Sequence, residues 1–95
     1  MGLAKNQYLV LDFLAGRPGE LAGIDVADQI GNMGRSSVYA ALAALQRDGF
    51  VEARWDHSAS HLRRMVQISP AGRAELTTEQ ALLSPRPRAL AEGSA

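Results

Sequence analysis

Apolar residues recur along this chain first at helical spacing and then at strand spacing. At about 100° per residue, Leu9, Val10, Phe13 and Leu14 share one broad face of residues 4–15, which predicts an amphipathic helix with that face inward. Ala4, Tyr8, Leu11 and Ala15 form a second stripe, expected to be covered either by the last helix of the same chain or by a second subunit. Gly16-Arg17-Pro18-Gly19 ends this helix, with Gly16 suited to a left-handed position, and Glu20-Leu21-Ala22 reads as a short extended stretch able to pair with a later strand. Residues 24–30 predict a second helix with Ile24, Val26, Ala27 and Ile30 as its apolar set, and Asp25 and Asp28 early in it favour the helix dipole. A glycine-bounded turn, Gly31-Asn32-Met33-Gly34, leads to a third helix over Ser36–Asp48 that buries Val38, Ala41, Leu42 and Leu45. Its opposite face holds Ser36, Tyr39, Ala40, Ala43 and Arg47.

After Asp48-Gly49 the period changes to two. Val51, Ala53 and Trp55 alternate with Glu52 and Arg54, and Val66 and Ile68 are the inward residues of a second strand over 62–68. Trp55 is expected in the core at the base of this hairpin, whose polar tip is Asp56–His61. Ser69-Pro70 is a helix start with N-cap and N1 in the favoured order, and the final helix covers 70–83 with Leu76, Leu82 and Leu83. Pro85 and Pro87 end it, and 84–95 is expected to be a disordered tail. The expected fold is mainly α (α+β). It is a winged helix-turn-helix domain over 1–83, with a three-helix core, a two- to three-stranded β wing and a short C-terminal helix.

Composition narrows the function classes. The 95 residues hold no cysteine, so disulfides and thiolate metal sites are excluded, and a core this small gains from a partner subunit. Asp12 interrupts the N-terminal apolar run, which therefore does not read as a signal peptide, and no run approaches membrane-spanning length. A cytoplasmic, nucleoid-associated protein is expected. Net charge is zero, but its distribution is uneven. Residues 1–33 carry two basic and four acidic side chains, whereas 34–73 carry six arginines against Asp48, Glu52 and Asp56. The basic half is the one that would face a duplex. There is no phosphate-cradling glycine loop, no nucleophile–base pair and no carboxylate dyad, so neither an enzyme nor a cofactor is expected. His57 and His61 are four apart, but they lie in a serine-rich turn rather than on a helix and are not expected to hold a metal.

The run SSVYAALAALQRDGFVEARW (Ser36–Trp55) resembles the PadR-type transcriptional regulators: Ser36-Ser37-Val38-Tyr39, then Leu42 and Leu45, then Asp48-Gly49, closing on Arg54-Trp55. Arg63-Arg64 and ISPAGRAEL (Ile68–Leu76) are similar to that family's basic second wing strand and the opening of its next helix. The resemblance spans residues 8–76 and implies a homodimeric repressor that binds an inverted repeat, with the third helix in the major groove and the wing near the backbone or minor groove. Three departures stand out. Ala40 and Ala43-Ala44 replace the family's proline and basic pair, and Ala22-Gly23-Ile24 replaces His-Gly-Tyr. The long C-terminal dimerising helix is missing or reduced to about four turns, which makes this a short form.

On the residues and the resemblance together, the expected DNA contacts are Arg35, Ser36, Ser37, Tyr39, Ala40, Ala43, Arg47, His61, Arg63 and Arg64. Tyr39 offers a hydroxyl to a phosphate oxygen or else packs against the wing, and the alanines offer a flat face to a groove floor or are simply good helix formers. Arg35 and Arg47 either clamp phosphates at the two ends of the third helix or are plain surface charges. Arg63 and Arg64, adjacent on a strand, point to opposite faces. Tyr8, Leu11, Leu76 and Leu83 are the expected homodimer contacts. A small-molecule effector is compatible with the family, some members of which stack flat aromatic ligands near their dimer interface; Trp55 is the residue to which the resemblance would extend such a role as the alternative to a place in the core, though its position does not establish it. The second reading is a winged-helix module whose neutral third helix binds a protein rather than DNA.

Overall fold

The computed structural model describes residues 2–58 and 62–83. Among them the elements run α1 (Lys5–Ala15), β1 (Leu21–Ala22), α2 (Gly23–Gln29), α3 (Arg35–Arg47), β2 (Val51–Asp56), β3 (Arg63–Ile68) and α4 (Pro70–Leu83). Both β1 and β2 pair antiparallel with β3, giving the sheet order β1-β3-β2. The two-residue β1 thus forms the third strand of the wing, with Leu21 opposite Val66 and Ala22 opposite Met65. This is the winged helix-turn-helix expected from the hydrophobic pattern. The 84–95 segment, expected to be a disordered tail, lies outside the described residues.

A single core joins the helices to the sheet. Val10, Leu11 and Leu14 of α1 meet Val26 and Ala27 of α2, Val38, Ala41, Leu42 and Leu45 of α3, Val51, Val66 and Ile68 of the sheet, and Leu76 of α4. The buried face of α3 is the one its spacing predicts. That of α1 is not. Its two apolar stripes merge into one arc centred on Val10, Leu11 and Leu14, leaving Phe13 and Tyr8 half-buried at the edges and Leu9 exposed. The reason is that α4 packs back onto α1 and covers the second stripe. Leu11 and Leu76, expected at a subunit interface, are 0% and 5% exposed inside the chain's own core and present no free surface to a second subunit. Gly16 also departs from expectation. It has φ −81°, a right-handed conformation, and the left-handed residue of this loop is Gly19 at φ 77°.

The helices and the wing are locked together where four segments meet. Gly49, at φ 83°, closes α3: its N–H bonds to the Gln46 carbonyl (3.1 Å) and the Phe50 N–H to the Leu45 carbonyl (2.9 Å), the paired bonds of a Schellman ending. The carbonyls of the same two residues receive the start of α4. Ser69 Oγ donates to the Gly49 carbonyl (2.7 Å) and accepts from the Gly72 N–H (3.0 Å), while the Ser69 N–H bonds to the Phe50 carbonyl (3.0 Å). Ser69, 4% exposed, is therefore both the N-cap of α4 and a strap onto the end of α3. Gly72 passes so close to this strap that a Cβ on it would lie 2.1 Å from the Phe50 carbonyl oxygen.

Replacing Gly72 by alanine is therefore expected to lower stability by at least the ~1–3 kcal/mol of an overpacked site, read as a lower urea midpoint. Gly16→Ala, where the new Cβ would sit 3.7 Å from the nearest atom and the backbone is already right-handed, is expected to be neutral or stabilising, by up to ~1 kcal/mol. Equal effects of the two substitutions would contradict the close approach at Phe50.

Candidate nucleic-acid interface

Gly31 (φ 68°) and Asn32 (φ 56°), two left-handed residues in succession, turn the chain sharply between α2 and α3. The turn frees the outer face of α3. Ser36, Tyr39, Ala40, Ala43 and Arg47 are exposed along it, and Ser37 is half-buried beside them. Tyr39, 42% exposed, leans toward the wing. Its Cε1 and the carbonyl oxygen of Arg64 lie 3.8 and 3.7 Å from the point a Cβ on Gly23 would occupy, so α3, the start of α2 and β3 converge at that glycine.

Intramolecular partners divide the arginines. Arg35 pairs with Asp28 at 2.5 Å and Arg47 with Asp48 at 3.3 Å, both in solvent. Arg54 makes a two-pronged contact with Glu20, each oxygen at 2.7 Å, and this hydrogen bonding holds the Glu20 carboxyl below its ordinary value and raises Arg54. Arg17 lies 3.6 Å above the Phe13 ring and donates to the Phe13 carbonyl. Arg63 and Arg64 are exposed and make no ion pair among the described residues. The ladder sets Arg63 opposite Asp56 and Arg64 opposite Trp55, so the two occupy opposite faces of β3, as strand alternation requires. Arg64 shares the face of Val66 and Ile68, the side toward α3.

Trp55 is not in the core. It is 55% exposed, because the hairpin runs on past the helices: Val51 and Ala53 pack on the core, whereas Trp55 and Arg64 overhang it on the same face. Ile24, expected among the buried residues of α2, is 47% exposed for a related reason, since it faces the space under this overhang. Together with Leu62, these side chains border a groove between α3 and the wing that also touches Tyr39 and Arg64. The alternation of β2 and β3 carried the signal. Only the halves of β2 and β3 nearest the helices pack on the core, through Val51, Ala53, Val66 and Ile68. His61, an expected wing contact, lies outside the described residues, and His57 is exposed. Among the described residues no three metal-ligating side chains gather, and no helix is long and apolar enough to cross a membrane.

The chain matches the family model described as "Transcriptional regulator PadR-like family" over residues 10–78. Among solved structures it is similar to Bacillus subtilis PadR in complex with operator DNA (24% identity, TM-score 0.70), covering 86% of this chain and 50% of that one. It is also similar to a probable transcriptional regulator from Pseudomonas aeruginosa (25% identity, TM-score 0.70), with 83% and 57% of the two chains covered. A PadR family transcription regulator from Clostridium difficile R20291 has 14% identity and the same TM-score, with 83% and 86% covered. The chain thus spans about half the length of the first two. A comparison with curated protein sequences finds no significant match. These matches are to regulators of transcription rather than to enzymes.

At the end of β2, Asp56 accepts from the Ser58 hydroxyl (2.6 Å) and the Ser58 N–H (3.0 Å), and chiefly these bonds hold its carboxyl below the ordinary value. A depressed carboxylate stabilises the turn above its unfolded pKa, and that contribution is lost as pH falls through the folded value. Ser58→Ala is expected to raise the Asp56 pKa toward the ordinary carboxylate value in an NMR titration. An unchanged titration would show that the turn does not form in solution.

Proposed function

The chain belongs to the PadR-like family of transcriptional regulators, and from that premise we propose that it binds operator DNA as a homodimer and represses transcription. The observation that carries this reading is the juxtaposition of the exposed α3 face with Arg64 on the α3-facing side of the wing, an arginine that makes no ion pair among the described residues. Ser36, Ser37, Ala40 and Ala43 offer small groups and hydroxyls to a major-groove floor, and Tyr39 and Arg64 offer hydrogen bonds to the phosphates at its edge. Bacillus subtilis PadR, captured on operator DNA, shares this fold and lends support. Arg35 and Arg47 reach phosphate by exchanging Asp28 and Asp48 for it, at little cost, since exposed pairs of this kind contribute ~0–1 kcal/mol. For the dimer, Tyr8 and Leu83, joined by exposed Leu9 and Leu82, supply the surface that Leu11 and Leu76 do not. The zero net charge and the alanine-rich α3 face favour one other reading, a protein partner for α3.

Selection from a random duplex pool at ~50 mM salt, where electrostatic binding is strong, separates the two. A two-fold symmetric sequence should be enriched, and its affinity should fall ~10³–10⁵ by about 200 mM salt if a dimer makes ~6–10 phosphate contacts. Arg64→Ala should weaken binding to all sequences and flatten the salt slope by about one per phosphate lost, and Tyr39→Phe should cost several-fold in affinity. No enrichment would overturn the DNA reading in favour of a protein partner.

A further inference from the structure

The groove between α3 and the wing has a volume of about 570 Å³. Ile24, Tyr39, Trp55 and Leu62 open onto it, four of the seven large apolar side chains that stand in solvent among the described residues. The other three, Leu9, Leu82 and Leu83, lie on α1 and α4, the surface assigned above to a second subunit. The groove therefore calls for an occupant of a different kind. Tryptophan, tyrosine and arginine carry a disproportionate share of the binding energy at protein interfaces, and Trp55, Tyr39 and Arg64 bring one of each to a single concavity. Such interfaces keep charge off their apolar centre and place it on the rim. Here the rim is cationic. Arg63 and Arg64 border the groove, no acidic side chain lines it among the described residues, and the Asp56 carboxylate that opposes Arg63 in the ladder is itself held by Ser58. A sugar–phosphate strand answers the two arginines but offers little to four large apolar side chains. An amphipathic polypeptide answers both.

We propose that this groove docks an acidic segment of a partner protein that carries large apolar side chains, and that the docked segment keeps the chain off DNA. The apolar anchors displace water from Trp55, Ile24 and Leu62, and a neighbouring carboxylate meets the Arg64 guanidinium in a charge-assisted contact. The exclusion of DNA rests on the DNA reading above. Tyr39 and Arg64 are offered to phosphates there and are engaged by the peptide here, so partner and operator compete for the same two side chains.

The full-length chain is used to select from a displayed library of short random peptides, beside Arg64→Glu and Trp55→Ser, both at exposed positions. The wild-type chain should enrich peptides that join Asp or Glu to large apolar residues. Arg64→Glu should enrich Lys or Arg beside the same apolar residues, an inversion that a misfolded chain cannot produce. Trp55→Ser should lose the apolar preference. An enriched peptide is then synthesised and followed by the emission of Trp55, the only tryptophan of the chain. Its amide counterpart, with Asn or Gln for the acid, should bind roughly tenfold more weakly. The acidic form should also release bound duplex at ~50 mM salt. Absence of enrichment overturns the proposal, as does a set of peptides that Arg64→Glu and Trp55→Ser leave unchanged. Trp55 emission that responds to duplex but to no enriched peptide overturns it too, because the groove then belongs to the DNA strand. Peptide and duplex bound together overturn the exclusion. Failure to bind any duplex in the absence of peptide refutes the DNA reading and leaves the peptide titration to judge the groove.

Discussion

The angle between α3 and the wing is set at one junction, and the rest of the working surface follows from it. Gly49 and Phe50 end α3 and begin β2, while Ser69 and Gly72 end β3 and begin α4. The hydrogen bonds from Ser69 and the contact of Gly72 with the Phe50 carbonyl tie the two pairs together at the base of the hairpin. Strands springing from a fixed base have their far ends placed by register, which is why Arg64 and Trp55 stand where they do relative to Tyr39. A core made of helices alone would leave the hairpin free to swing about that base. The strap ties the base of the wing to the end of α3.

This arrangement was legible in the sequence to different depths. The helix and strand periods were unambiguous, and the buried face of α3 could be read directly because Val38, Ala41, Leu42 and Leu45 fall on one side, with Tyr39 the one large side chain opposite among small and polar residues. For α1 the same projection misled, because Leu9 and Leu11 are equally hydrophobic and only the position of α4 decides between them. Trp55 was misplaced for a different reason. Strand alternation tells which face a residue is on but not how far along that face the core extends. Ser69 was recognised as a cap, whereas its second bond to the Gly49 carbonyl spans 20 residues and leaves no local trace.

The charge pattern carries a similar lesson. Counting arginines in the second half of the chain is coarser than the chemistry. Asp28, Glu20 and Asp48 take up Arg35, Arg54 and Arg47, and Arg17 is spent on the aromatic face of Phe13. Among the described residues the remaining cations without an ion pair are then Arg63 and Arg64 on the wing, Arg73 on α4 and Lys5 on α1. Neutral overall charge is then compatible with a directed electrostatic surface.

The sheet order has one further consequence. A three-stranded antiparallel sheet has two open edges, and unpaired edges invite strands from other chains. Here one edge is β1, too short at two residues to template anything. The other is β2, whose outward positions are Glu52, Arg54 and Asp56, a mixed row of charges with Arg54 tethered by Glu20 across the face of β3. A chain adding to β2 would have to desolvate that row. The wing therefore combines an apolar inner face with an edge that resists aggregation, so hydrophobic side chains such as Trp55 can remain in water without turning the protein into a seed for β-stacked assemblies.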